Sequence, residues 1–284
     1  MLFEKQIPLN LLSCPTCQGS GYSGIRKCPE CKGMSTGHFI RKQFLYWGEP
    51  LTYYHISVRR ARRWLNHFRI IGALVFGIGF LSLFVWLIYD KGILTDVLTV
   101  RFWQLRGNSL PLFFWWAMVA FGYLAYRLTV MNPEPKTVES HEYKEDKKLL
   151  EEREEQNMQT WTEVFKLPRR KRHNIALSFS YNTRQVLEEA YNQAYKNNCA
   201  TVDPAHVFHA LLSSTRVSNI FIRLGIPVQS LQARLVKFFV KSEDKKPPVI
   251  SSDLQQILFY AYEKAYVDRQ EFVDVTELLI ITVK

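Results

Sequence analysis

The C-terminal third of the chain repeats itself, and a duplicated unit restricts the possible folds more than any single motif does. Sliding residues 180–212 forward by 71 positions lays Ser180, Gln185, Leu187, Ala190, Tyr191, Ala194, Tyr195, Val202 and Asp203 on Ser251, Gln256, Leu258, Ala261, Tyr262, Ala265, Tyr266, Val273 and Asp274. Each copy has a helical period. Val186, Leu187, Ala190, Tyr191 and Ala194 make one apolar face, and Ile257, Leu258, Ala261, Tyr262 and Ala265 make its counterpart.

Capping signals set the element boundaries. Asp203-Pro204 opens a second helix, with a side-chain acceptor at the N-cap and proline where no N–H is needed. Asp274 followed by Glu277 is a reciprocal capping pair at the same place in the second copy. Val207, Phe208, Leu211 and Leu212 supply the buried face of the first copy's second helix. A third helix is expected over 218–224, closed by Gly225, and a fourth over 228–240 with Leu231, Leu235 and Phe238 turned inward.

These residues carry a family likeness. Asn182-Thr183-Arg184 ahead of Val186-Leu187-Glu188 and Ala190, then Val202, His206 and Ala210-Leu211-Leu212, then Leu224-Gly225-Ile226, resemble the N-terminal double repeat of Clp-type AAA+ chaperones, the Clp repeat domain. The resemblance covers about 178–284. It implies an all-α module that captures protein clients or adaptors for ATPase rings, with assembly into homo-oligomers. Two departures stand out: the usual Glu-His-Leu-Leu opening reads Ala205-His206-Val207-Phe208, and the second copy stops at Lys284, before a third and fourth helix. The sequence is therefore expected to be part of a longer chain, with any AAA+ modules downstream. The 284 residues contain no P-loop, nucleophile elbow or dinucleotide loop, so no enzyme is expected.

Residues 70–89 contain no charge and rise about 30 Å as a helix; 110–126, extended through 131, are similarly apolar. Trp86, Tyr89, Trp103, Trp115, Trp116, Tyr123 and Tyr126 lie near the ends, where aromatic belts form. Two transmembrane helices are expected, 70–89 and 110–131, joined by an external loop over 90–109. Arg59, Arg60, Arg62, Arg63 and Arg69 crowd the first entry, and Arg127, Lys136, Lys144, Lys147 and Lys148 follow the second. The positive-inside bias then puts both termini in the cytoplasm of a multi-pass inner-membrane protein, with Arg59, Arg60, Arg62 and Arg63 at the lipid surface. Much of the net charge of +11 is explained by these flanks rather than by nucleic acid.

At the other end, Cys14-Pro-Thr-Cys17 with Gly19 and Gly21, and Cys28-Pro-Glu-Cys31 with Gly33, are two knuckles separated by ten residues. Cys14, Cys17, Cys28 and Cys31 offer four thiolates for one tetrahedral, structural Zn2+ at about 2.3 Å per bond. The pattern resembles the knuckles of the DnaJ-type zinc region, with two knuckles in place of four and no His-Pro-Asp of a J-domain. Disulfides and a redox pair are the alternatives; a reducing cytosol and the absence of a βαβ context weigh against them. With few apolar side chains, the segment is expected to rely on metal to fold.

The expected organisation is mainly α: a zinc ribbon over 1–48, a basic juxtamembrane segment over 49–69, the two spans and their loop, a charged linker over 132–176, and the repeat domain over 177–284. In the linker, Trp161, Val164, Phe165 and Leu167 are expected to dock on the repeats or the membrane. Cys199, His206 and His209 read as packing residues. The expected function is substrate or adaptor recruitment at the membrane face, with apolar grooves near Tyr191, Tyr195, Tyr262 and Tyr266 as the binding surface. A membrane scaffold without any ATPase is the alternative.

Overall fold

The computed structural model describes residues 9–40, 43–93, 96–99, 102–103, 109–130, 160–242 and 246–283. It divides into two compact units, one made of Met1–Ser57 with Pro135–Lys284, the other of Val58–Glu134.

The first unit opens with short strands: β1 (Leu12–Ser13), the hairpin β2 (Tyr22–Ser23) and β3 (Arg26–Lys27), then β4 (Thr36–Ile40) and β5 (Gln43–Trp47). β1, β4 and β5 pair antiparallel, with Phe39 opposite Phe44. Glycine is required at 37, because a Cβ there would meet the Phe44 ring at 2.2 Å. The sequence reading missed the β4–β5 hairpin, although Phe44, Leu45 and Trp47 make a short apolar run of strand length.

The chain then enters α1 (Tyr53–Asp90), whose first turn belongs to the first unit. The basic segment around Arg59–Arg63 is thus helical and continuous with the apolar stretch. In the second unit, α1 packs on α2 (Leu110–Val130): the Phe121 ring lies 3.1 Å from where a Cβ on Gly77 would stand. Phe84, Phe102, Leu110 and their neighbours Trp103 and Phe114 cluster beyond this contact, with Trp103 Nε1 donating to Val97 O at 2.9 Å. Among the described residues, only α1 is long and apolar enough to cross a membrane. Of the two expected spans, the one over 70–89 is found by this measure, and α2 falls short of it. Trp115, Trp116, Tyr123, Tyr126, Pro111 and Arg127 make α2 less apolar than its uncharged appearance suggests.

Most of the charged linker, 131–159, lies outside the described residues, as do the lysine and glutamate pairs expected there. From Trp161 onward the chain is built into the first unit. α3 (Trp161–Lys166) is followed by β6 (Arg172–Asn174), which adds to the edge of β5 in parallel, Leu45 opposite His173. Asn174 Oδ1 accepts from Gly48 N (3.0 Å) and Ala176 N (3.2 Å), fixing this return.

The repeat is faithful to the residue. α4 (Tyr181–Lys196) and α5 (Pro204–Leu212) recur as α8 (Ser252–Val267) and α9 (Val275–Val283) at the 71-residue offset. Ser180 and Ser251 cap their helices, accepting from Thr183 N and Leu254 N. Asn198 and Arg269 leave them with the same φ of 55°. The copies brace each other across a pseudo-dyad. Ser180 N donates to Val273 O at 3.0 Å, and Ser251 N to Val202 O at 3.2 Å, while β7 (Thr201–Val202) and β8 (Val249–Ile250) pair in parallel. Leu187, Ala190, Val207, Leu211, Leu258, Ala261 and Leu278 fill the shared core.

In the first copy, α6 (Thr215–Arg223) ends at Gly225, whose φ is +72°, and α7 (Val228–Val236) follows. α7 is shorter than expected. Once the helix stops, the chain straightens toward a bridge between Lys241 and Cys199. Side chains there no longer follow the helical period, so Phe238 is turned outward and Phe239 inward.

Candidate functional site

The four knuckle cysteines come together as their spacing requires, with all four sulfurs within 4.8 Å of one another. The two knuckles are copies at an offset of 14 residues. Ser20 N donates to Cys17 O and Met34 N to Cys31 O, each at 3.0 Å; Cys28 N donates to Gly21 O and Cys14 N to Ser35 O. Gln18 and Lys32, followed by Gly19 and Gly33, all take positive φ, which curls the backbone round the sulfurs. Gly21 N donates to Cys17 Sγ at 3.2 Å.

Across the knuckles, Cys14 and Cys28 sulfurs lie 3.8 Å apart and Cys17 and Cys31 3.7 Å. Four thiolates about 2.3 Å from a central ion in a tetrahedron stand about 3.8 Å from each other, so the cradle fits a metal with closed tetrahedral coordination. The thiols share protons unequally. A hydrogen bond from Cys17 lowers Cys31 to about 5, the same bond raises Cys17, and burial raises Cys14 to about 11. Cys31 is the first to ionise, and a metal ion held by the four sulfurs would take over the role of the remaining protons. Glu30 reaches from the second knuckle to Thr16 and, at 3.6 Å, to Cys14 of the first.

This centre has a hydrophobic cover that was expected elsewhere. Trp161 and Val164 of α3 are buried beside the four cysteines with Met34 and Phe44, and the Trp161 and Phe44 rings meet edge to face at 5.9 Å. Phe165 carries the Lys32 ammonium over its face at 4.4 Å. The ribbon borrows from α3 the core that its own sequence lacks. It is also joined to the second repeat: Gln255 of α8 accepts from Ser13 Oγ (2.9 Å) and Thr36 Oγ1 (3.1 Å).

The four tyrosines expected to bind partners are largely occupied within the chain. Tyr191 is 1% exposed; its hydroxyl accepts from Tyr53 N, the first amide of α1, at 3.0 Å. Tyr195 stacks on Tyr53 with ring centroids 4.6 Å apart. Tyr262 is buried and Tyr266 packs against the core. Exposed apolar side chains lie instead on α6 and on the segments either side of α7: Ile220, Ile222, Leu224, Ile226, Phe238 and Val240, with Leu224 67% exposed and Phe238 75%. α6 signals this by its pattern, since Val217 is its one buried residue.

His206 and Cys199 are packing residues. Asp203 N donates to His206 Nδ1 at 3.0 Å, which leaves Nε2 to face Cys199 Sγ at 3.4 Å, and the imidazole stacks on Phe239. Burial lowers His206 and raises Cys199, so this pair is neutral rather than an activated thiolate.

No curated protein matches the chain. A solved structure described as "Preliminary structural investigations of a malarial protein secretion system" aligns over 37% of this chain and 76% of that chain, with 22% identity and a TM-score of 0.33. A family model, the Clp repeat (R) N-terminal domain, matches residues 178–283, the span of the two braced copies. The chain carries a Clp repeat N-terminal domain, of the kind that forms the substrate- or adaptor-binding region of Clp-type proteins.

Proposed function

We propose that this chain is a membrane-anchored receptor: its repeat domain captures protein clients or adaptors at the cytoplasmic face of a membrane and presents them to AAA+ ATPase modules. One observation carries the reading. The most apolar stretch of α1 is only 11% buried, whereas a core helix of that length would be covered by protein. Lipid is the solvent that fits such a surface.

Topology supports a hairpin. The chain leaves the first unit at Ser57 and returns to it, so an even number of crossings is needed to keep that unit on one side. We assign the return crossing to α2, whose tryptophans and tyrosines suit the interfaces. The arginines in the opening turns of α1 and the reduced thiols that zinc requires support a cytosolic position for the first unit. Zinc in the Cys14, Cys17, Cys28 and Cys31 cradle is structural: it clips the ribbon that joins the anchor's first turn to the repeats. Binding is assigned to the exposed apolar residues of α6 and of the segments either side of α7.

Photo-crosslinkers placed at Leu224 and Phe238 test the receptor role. Client or adaptor adducts at these sites, lost when Ile222→Ser is added, are expected. Equal adducts from a crosslinker at Lys196, on α4, would contradict it.

A further inference from the structure

The stretch of α1 that precedes the uncharged span has two faces, and its pattern deepens the anchor reading, on which it rests. At about 100° per residue, Val58, Ala61, Trp64, Leu65 and Phe68 fall in an arc of roughly 120°, Arg59, Arg60, Arg62 and Arg63 fall in an arc centred opposite it, and Arg69 lies at the edge of the apolar arc beside Val58. The apolar arc is uncovered: Trp64 is 64% exposed and Leu65 and Phe68 55% each, with the Trp64 and Phe68 rings 4.7 Å apart. From Ile70 onward the polar face disappears.

We infer that this two-faced stretch is a binding site for anionic phospholipid headgroups. Along the axis, Phe68 and Trp64 stand about 3–9 Å before Ile70, and Arg63 to Arg59 about 10–16 Å. A headgroup layer is about 5–8 Å thick on each side of the hydrocarbon. The aromatic arc therefore lies at headgroup depth, where Trp is favoured, and the charged guanidinium groups reach the outer phosphates. A basic face opposite a Trp and Phe face is the pattern of helices that read surface charge rather than merely insert. The occupant is lipid rather than a second copy, because four like charges on one side of so short a stretch would repel their own kind.

Full-length protein in lipid nanodiscs containing traces of dansyl-labelled phosphatidylglycerol or phosphatidylcholine tests the inference, with energy transfer from tryptophan as the readout. The wild type is expected to enrich the anionic probe severalfold over the zwitterionic one. The quadruple Arg59→Gln, Arg60→Gln, Arg62→Gln, Arg63→Gln variant loses that preference, by up to about fivefold per arginine. The corresponding Arg→Lys variant keeps most of it. Equal transfer from both probes in the wild type, an unchanged preference in the Gln variant, or crosslinking of two copies through Trp64 would overturn the inference. Alkaline carbonate separates the two readings. Retention in the pellet without headgroup preference sinks only the lipid site, whereas release of the wild type sinks the anchor and the site together.

Discussion

Four sulfurs at diagonal spacings of 3.7 and 3.8 Å leave room for one ion of tetrahedral habit, and the packing around them ties that ion to the fold. Structural zinc in small sites contributes about 10–16 kcal/mol of binding free energy, which becomes folding free energy when the apo segment is unfolded. Cys31→Ala is expected to reduce bound zinc from about one per chain to near zero by elemental analysis, and to speed amide exchange through Trp161–Lys166. Full zinc occupancy or unchanged exchange in α3 would contradict this account of the centre. His206 sets a second dependence. Its folded-state pKa is lowered by burial, so the folded state binds the proton less readily than the unfolded chain does. Stability is therefore complete above the ordinary histidine range near 6.5 and declines as pH falls below it. Protonation also sets an Nδ1 donor against the Asp203 amide that it now accepts from. With zinc held in excess, the thermal midpoint of the repeat domain should fall between about pH 6.5 and 5. His206→Asn should flatten that slope, leaving a smaller contribution from His209; an identical slope would exclude His206 as its source.

Helix entries and exits account for how well the elements could be read. α4, α5, α8 and α9 were visible because serine and aspartate caps, Pro204 and the apolar period all agree locally. Where local signals stop, the reading overshoots: nothing after Val236 announces the straightened chain, so Phe238 and Phe239 exchange places. The docking of α3 on the cysteines and of Gln255 on Ser13 and Thr36 was not legible at all. These contacts join residues more than a hundred positions apart, which no local pattern encodes. The four metal ligands were legible because each knuckle places two of them within one turn. The tyrosines illustrate the converse. Exposure cannot be told from residue type, and the Tyr191 hydroxyl caps the first amide of α1. Tyr191→Phe leaves the Tyr53 amide without that partner, and should cost about 1 kcal/mol, a loss of a few degrees in thermal midpoint. An unchanged midpoint would show that water replaces the hydroxyl. Gly225→Ala, at a φ of +72°, should cost about 1 kcal/mol in denaturant titrations, although no neighbouring atom lies within 4 Å of the added Cβ. A neutral substitution would mean that the turn after α6 relaxes.

At the scale of the whole molecule, the chain folds one unit from both of its ends, and residues 58–134 between them make a second. β5 supplies the exit and β6 returns beside it, so the ribbon, the first turn of α1 and the repeats are built as one body. In the proposed reading, the uncovered apolar surface of α1 and the arginines in its opening turns set the membrane side of the first unit. Protease protection of the full-length protein in sealed vesicles of known orientation is the most direct measurement. The account predicts that in inside-out vesicles the knuckles and the Clp repeats are digested together, and that in right-side-out vesicles both survive. Digestion of one end and protection of the other in the same vesicles, or release of the intact chain by carbonate, would contradict it.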